Sequence, residues 1–195
     1  REELDMQVLP FPIAMGGKEV QDGYDFTPEE FYPILLRAAQ IPTHAQLNPF
    51  VFSQCFQEAF QSGYRSLIYT AINSKGSATY QNAIQARDEF YEDYPEARDT
   101  FHIHVLDSRT YTMGYGWAVV QGARMARDGA DEGEVVAYLQ DWLAHVRVLF
   151  APLDLRFAKK SGRVSAAAAF MGDALGLKPL MTFEGGDSKV LSKVR

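Results

Sequence analysis

Residues 65–73, RSLIYTAIN, form an apolar run with hardly any polar interruption, the pattern of a strand covered on both faces. That run sets the rhythm of the chain. A helical stretch from about Ala78 to Tyr94 follows, then a second strand-like run, FHIHVLD, at 101–107. Two more helical lengths come next, one from about Met113 to Asp128 and one from Asp131 to Val146. The latter carries Val135, Leu139, Trp142 and Val146 on one stripe. A third strand, RVLFAPL, leads into the closing segment. Strand and helix in alternation predict an α/β fold with a largely parallel sheet flanked by helices.

The first third of the chain reads differently. MQVLPFPIAM, a Gly16-Gly17 turn and KEVQDGYDF predict a small β-ribbon near residues 6–26. Thr27-Pro28-Glu29-Glu30 is a capping-box start to a helix that reaches about Ala39. Val51, Phe52, Cys55, Phe56, Ala59 and Phe60 have helical spacing and predict a helix ending at Gly63.

Composition narrows the function classes. Of 195 residues, 47% are hydrophobic and 23% charged, enough for a sizeable core. A net charge of −6 argues against a nucleic-acid partner, because phosphate binding needs a basic face. No apolar run nears the roughly 18 residues of a membrane span, so stable membrane insertion is not expected. The single cysteine, Cys55, sits in an apolar helical stretch and reads as a buried structural thiol. A reducing cytoplasm is the expected compartment. No nucleophile–base–orienter set is evident, and no cofactor is implied. His102 and His104 alternate on one strand without a carboxylate or cysteine at ligand spacing, so no metal site is expected.

In open α/β sheets ligands gather at the carboxyl ends of strands. Two polar turns lie at such ends. The first runs Asn73-Ser74-Lys75-Gly76-Ser77-Ala78-Thr79-Tyr80-Gln81, the second Asp107-Ser108-Arg109-Thr110-Tyr111-Thr112-Met113-Gly114-Tyr115-Gly116. Hydroxyls and free N–H groups at a helix start suit a carboxylate or a phosphate. Ordinary helix capping accounts for the same residue types. In the closing segment, Lys159-Lys160-Ser161-Gly162-Arg163 precedes a small-residue helix beginning near Ser165. Arg163 there stands beside backbone N–H groups that favour anions.

Taken in order, residues 150–195 resemble the "DLxYLxKGGRIS…LGxxLxIKPIL…G" stretch of the DegV family of bacterial fatty-acid-binding proteins. The resemblance extends upstream. Ser74, Ser77, Thr79, Tyr80 and Gln81 match "SSxLSGTYQ", with Asn73 in place of the first serine. Asp107, Ser108, Gly114 and Gly116 match "DSxxxSxGxG", with Thr112 for the serine. Thr43, Gln46 and Pro49 match "TTSQPSP", where His44 and Ala45 replace a threonine and a serine. Family members begin with a strand bearing an Asp-Ser-Thr element and continue well past the final Lys-Val-Arg.

The resemblance implies a division at residues 1–150, the N-terminal α/β domain, and 151–195, the beginning of a C-terminal lipid-binding domain. It further implies a non-catalytic carrier of a long-chain fatty acid, with a fatty acid kinase as partner. The carboxylate would lie on hydroxyl side chains and the tail in an apolar tunnel. The implied head-group residues are Thr43, His44, Asn73, Ser74, Ser77, Ser108 and Arg163, with Ser74 donating to the carboxylate and Thr43 or His44 opposing it. Burying about 14 methylenes at roughly 0.8 kcal/mol each gives roughly 11 kcal/mol before ordering costs, so the tail would supply affinity and the head group register. Thirteen Phe, 10 Tyr and 6 Met furnish apolar material, although such residues usually serve a core. An enzyme or sensor for another small carboxylate or phosphate is the alternative, suggested by the rewritten Thr43–Asn48 element.

Overall fold

Most helix starts in the computed structural model, which describes residues 2–38, 40–152 and 178–194, have a local chemical cause. Helix α1 (Pro28–Arg37) opens on a full capping box: Thr27 Oγ1 accepts from Glu30 N, and Glu30 Oε2 accepts from Thr27 N. Asn48 caps α2 (Pro49–Gln61) by accepting from Val51 N. Helix α3 (Thr79–Asp93) begins where Ser77 Oγ accepts from Thr79 N. Helix α4 (Met113–Arg127) starts without a side-chain cap. Helix α5 (Glu132–His145) has a second capping box, built from Asp131 and Glu134.

The chain divides into two compact units, residues 1–65 with 81–102 and residues 66–80 with 103–195. In the first unit, β1 (Pro12–Met15) and β2 (Lys18–Gln21) form the expected hairpin. Gly16 and Gly17 take φ of 60° and 77° there, which glycine adopts without strain. Strand β3 (Thr43–His44) adds to the other edge of β1, a pairing the sequence does not announce. The core of this unit is aromatic. Phe60, Phe90, Tyr94 and Phe101 lie with centroids 5.0–5.9 Å apart, and Phe52 and Phe56 are buried beside one another on α2.

Strands β4 (Ser66–Ala71) and β5 (His102–Asp107), which apart from His102 belong to the second unit, form a two-stranded sheet. The bonds His102 N to Arg65 O and Ser108 N to Ala71 O advance together along both strands, so the pairing is parallel, as the alternation of strands and helices predicts. Helices α4 and α5 pack through Ala118, Val135 and Leu139, with Ile68 and Leu106 of the two strands against that cluster. Gly122 lets the helices approach: a Cβ there would stand 3.1 Å from Val135 Cγ1.

The third strand differs from expectation. Only Leu149–Phe150, β6, is extended and paired, and it runs antiparallel to β7 (Lys178–Glu184) rather than beside the parallel pair. α5 ends at His145, which leaves Arg147 and Val148 as linker, and Pro152 lacks a ladder donor. Strand β7 turns at Gly185-Gly186 into β8 (Asp187–Val194). The α/β class is as predicted, with a parallel pair and two antiparallel three-stranded sheets among the described residues. The Lys159-Lys160 turn, Arg163 and the helix from Ser165 lie outside the described residues, as does the start of the expected second domain.

Candidate functional site

The two polar turns meet at Asp107, the last residue of β5. Its Oδ1 accepts from the backbone N–H of Ser74 at 3.0 Å and of Arg109 at 3.0 Å. Its Oδ2 accepts the Ser74 hydroxyl at 2.6 Å. A carboxylate can only accept, so the Ser74 proton points at Asp107. Ser74 therefore presents an acceptor oxygen outward, and donates to a ligand only by releasing Asp107.

Asn73 is 1% exposed and fully engaged. Nδ2 donates to Gly186 O at 2.8 Å and to Tyr111 Oη at 3.0 Å, while Oδ1 accepts from Lys75 N at 3.2 Å. Its backbone N–H donates to Thr110 O, and its carbonyl accepts from Gly76 N. One side chain thus ties both strand-end turns to the β7–β8 turn. Gly186 has φ of 87°, and a Cβ there would stand 2.6 Å from Asn73 Oδ1, so glycine is required twice over. Lys75 Nζ meets Asp187 Oδ2 at 2.5 Å, but both side chains are more than half exposed and the pair adds little.

Ser108 is buried and serves its own turn: Oγ donates to Thr110 O at 3.0 Å and accepts from Thr110 N at 3.2 Å. Ser77 and Thr79 share a hydroxyl–hydroxyl bond of 2.8 Å at the start of α3. Here the capping reading holds for part of what Ser77 does. The backbone between β5 and α4 is strained. Arg109 and Thr112 have φ of 52° and 53°, and for a β-branched residue that is an outlier. Such strain gathers where a loop is held in a required shape. Gly114 makes the shape possible, because a Cβ there would lie 2.8 Å from both Thr110 Oγ1 and Val148 Cγ2. Trp142 Nε1 adds a bond to Gly114 O at 2.9 Å.

Thr43 and His44 lie on β3 in the first unit, opposite Ala14 and Ile13 of β1, and both are exposed. His44 stands edge-on to Phe11 at 6.2 Å. Of the residues picked out in sequence, the second unit draws Asn73, Ser74 and Ser108 into one hydrogen-bonded cluster. Ser77 lies a few residues along the same loop. Sequence reasoning missed Tyr111 and Gly186. Tyr111 carried no motif match, and its ring rests 4.7 Å from Phe183, which stacks on Phe150 at 5.0 Å.

Burial pushes the Cys55 thiol up to about 11, with Glu58 adding to the effect, and the thiol meets Gln7 Oε1 at 3.2 Å. Among the described residues no three His, Cys, Asp or Glu side chains are grouped to hold a metal ion. No helix among them is long and apolar enough to cross a membrane.

These features define an α/β protein whose parallel strands end in two cross-linked polar loops, the place where such sheets take small ligands. The family model described as "Uncharacterised protein, DegV family" matches residues 1–195, and the chain belongs to that family. A DegV domain-containing protein of Caldanaerobacter subterraneus subsp. tengcongensis is 36% identical over 188 residues, covering 96% of this chain and 64% of that protein. Among solved structures, a DegV family protein from Thermus thermophilus described for its fatty acid binding superposes with a TM-score of 0.85 at 26% identity. The match covers 100% of this chain and 66% of that one. A stearic acid-binding protein from Eubacterium ventriosum gives the same TM-score and identity over 100% of this chain and 65% of its own. The chain thus spans about two thirds of the relatives it matches.

Proposed function

We propose that this protein binds a long-chain fatty acid without transforming it. The observation that carries the reading is the likeness, along the full 195 residues, to solved DegV proteins described as binding fatty acids. The polar cluster around Asp107 gives the head group a rigid place to dock, and the apolar tail would supply most of the affinity. In this reading the carboxylate lies near Ser74, with Thr43, His44 and Arg163 as further head-group contacts. Residues 151–195 begin the lipid-binding domain that follows the 1–150 domain. Presentation of the bound acid to a fatty acid kinase in the cytoplasm is the role this implies.

The test is direct. Native mass spectrometry of the purified protein should show an added mass in the fatty-acid range, released by solvent extraction. Added palmitate or oleate should bind to protein stripped of lipid. An apo mass only, together with no binding of either acid, would end the proposal.

A further inference from the structure

A ligand carboxylate must be met by donors, and Ser74, the expected donor, has committed its proton elsewhere, as has Ser108, another of the implied head-group residues. Ser74 donates to Asp107 Oδ2, and Ser108 donates to Thr110 O. Tyr111 is in the opposite condition. Its oxygen accepts from Asn73 Nδ2, and the direction of that bond is fixed by the other partners of the same amide. Gly186 O can only accept from Nδ2, and Lys75 N–H can only donate to Oδ1, so the Asn73 amide has one orientation. The phenol oxygen is therefore an acceptor toward Asn73, and its own proton must go to another group. Among the described residues no acceptor takes it. The ring is half-buried, held against Phe183 at 4.7 Å, and its oxygen is bonded to the residue directly before Ser74.

We infer that Tyr111 donates its phenolic hydrogen bond to the anionic head group of the ligand and is a specificity-determining residue for carboxylates at this site. The inference rests on the fatty-acid reading above. Asn73 is the positioning residue: by donating to Oη it turns the Tyr111 proton outward. Ser74 and Asp107 hold the adjoining loop. The arrangement is preorganised, since each atom of the relay except the phenol hydrogen already has its partner. A hydrogen bond to a charged acceptor in such a place discriminates against a ligand that cannot accept it equally well.

The experiment compares wild type with Tyr111→Phe, which keeps the ring against Phe183 and deletes only the hydroxyl. Oleate and oleyl alcohol serve as probes, having one tail and different head groups. Tyr111→Phe should weaken oleate binding by roughly ten- to a hundredfold and leave oleyl alcohol within about twofold. Circular dichroism should show the fold retained. A merely structural role would lower both affinities together, and that outcome overturns the inference. So does oleate affinity within about twofold of wild type. If wild type binds neither probe, the fatty-acid reading itself falls and this inference with it, a result distinct from a tight wild type and an unaffected variant.

Discussion

Asn73 and Gly186 are 113 positions apart in sequence, yet the amide of one donates to the carbonyl of the other at 2.8 Å with both groups buried from water. That bond fastens the loop after β4 to the turn between β7 and β8. It fixes the orientation of the only amide that touches Tyr111 Oη among the described residues. The candidate site therefore depends on a contact that no local segment can form alone.

Gly186→Ala should be strongly destabilising. The new Cβ would sit 2.6 Å from Asn73 Oδ1 at a φ of 87°. Strain and displacement of the bond together should cost about 2–4 kcal/mol. For a chain of this size that lowers Tm by roughly 4–16 °C, read by differential scanning calorimetry. Gly185→Ala is the control: it has φ of 54° but no atom near its Cβ, so its cost should be smaller.

Ser74→Ala removes the donor to Asp107 Oδ2 and leaves the carboxylate with two backbone donors. The expected loss is about 1.5 kcal/mol of stability. Because the Ser74 proton faces Asp107, oleate affinity should change less than in Tyr111→Phe. Chemical denaturation and a binding titration on the same preparations check the two statements separately. A larger loss of affinity in Ser74→Ala would mean that Ser74 turns toward the ligand on binding.

Asp131→Ala should cost about 1 kcal/mol by removing one half of the α5 capping box. Thr27→Ala should do the same at α1, where the box is likewise complete. Glu134→Gln keeps a side-chain acceptor for the Asp131 N–H and should cost less. Urea midpoints at constant m-value measure all three.

Gly122→Val should disturb the α4–α5 contact. Its Cβ would already be 3.1 Å from Val135 Cγ1, and two further methyls have no room. Overpacking of this kind costs about 1–3 kcal/mol. Gly122→Val combined with Val135→Ala should recover part of the loss, and a double-mutant cycle measures how much.

Cys55 should be a slow thiol. With its pKa pushed up to about 11 by burial and by Glu58, it stays protonated in the folded protein at pH 8. Between the ordinary value of 9.0 and about 11 the unfolded chain ionises first, so this group withdraws stability as pH rises through that window. Labelling by iodoacetamide at pH 8 should be far slower in native protein than in urea. Equal rates would contradict the burial.

Much of the molecule was legible in sequence, because local patterns carry it. The apolar runs at 65–73 and 101–107 gave a parallel pair, since a strand covered on both faces needs no alternation. Thr27-Pro-Glu-Glu and the Asp131 helix start were legible because a cap closes within three residues. Motif order led to the family. Tertiary structure alone decided the rest. Thr43–His44 became a strand only because the edge of β1 accepts it, and Leu149–Phe150 turned antiparallel because β7 is its neighbour. Which hydroxyl keeps a free proton is likewise unreadable from residue type. Ser74, Ser108 and Tyr111 are all donors on paper, and only their partners determine where each hydrogen points; for Tyr111 that partner is Asn73, itself oriented by the Gly186 carbonyl 113 residues away.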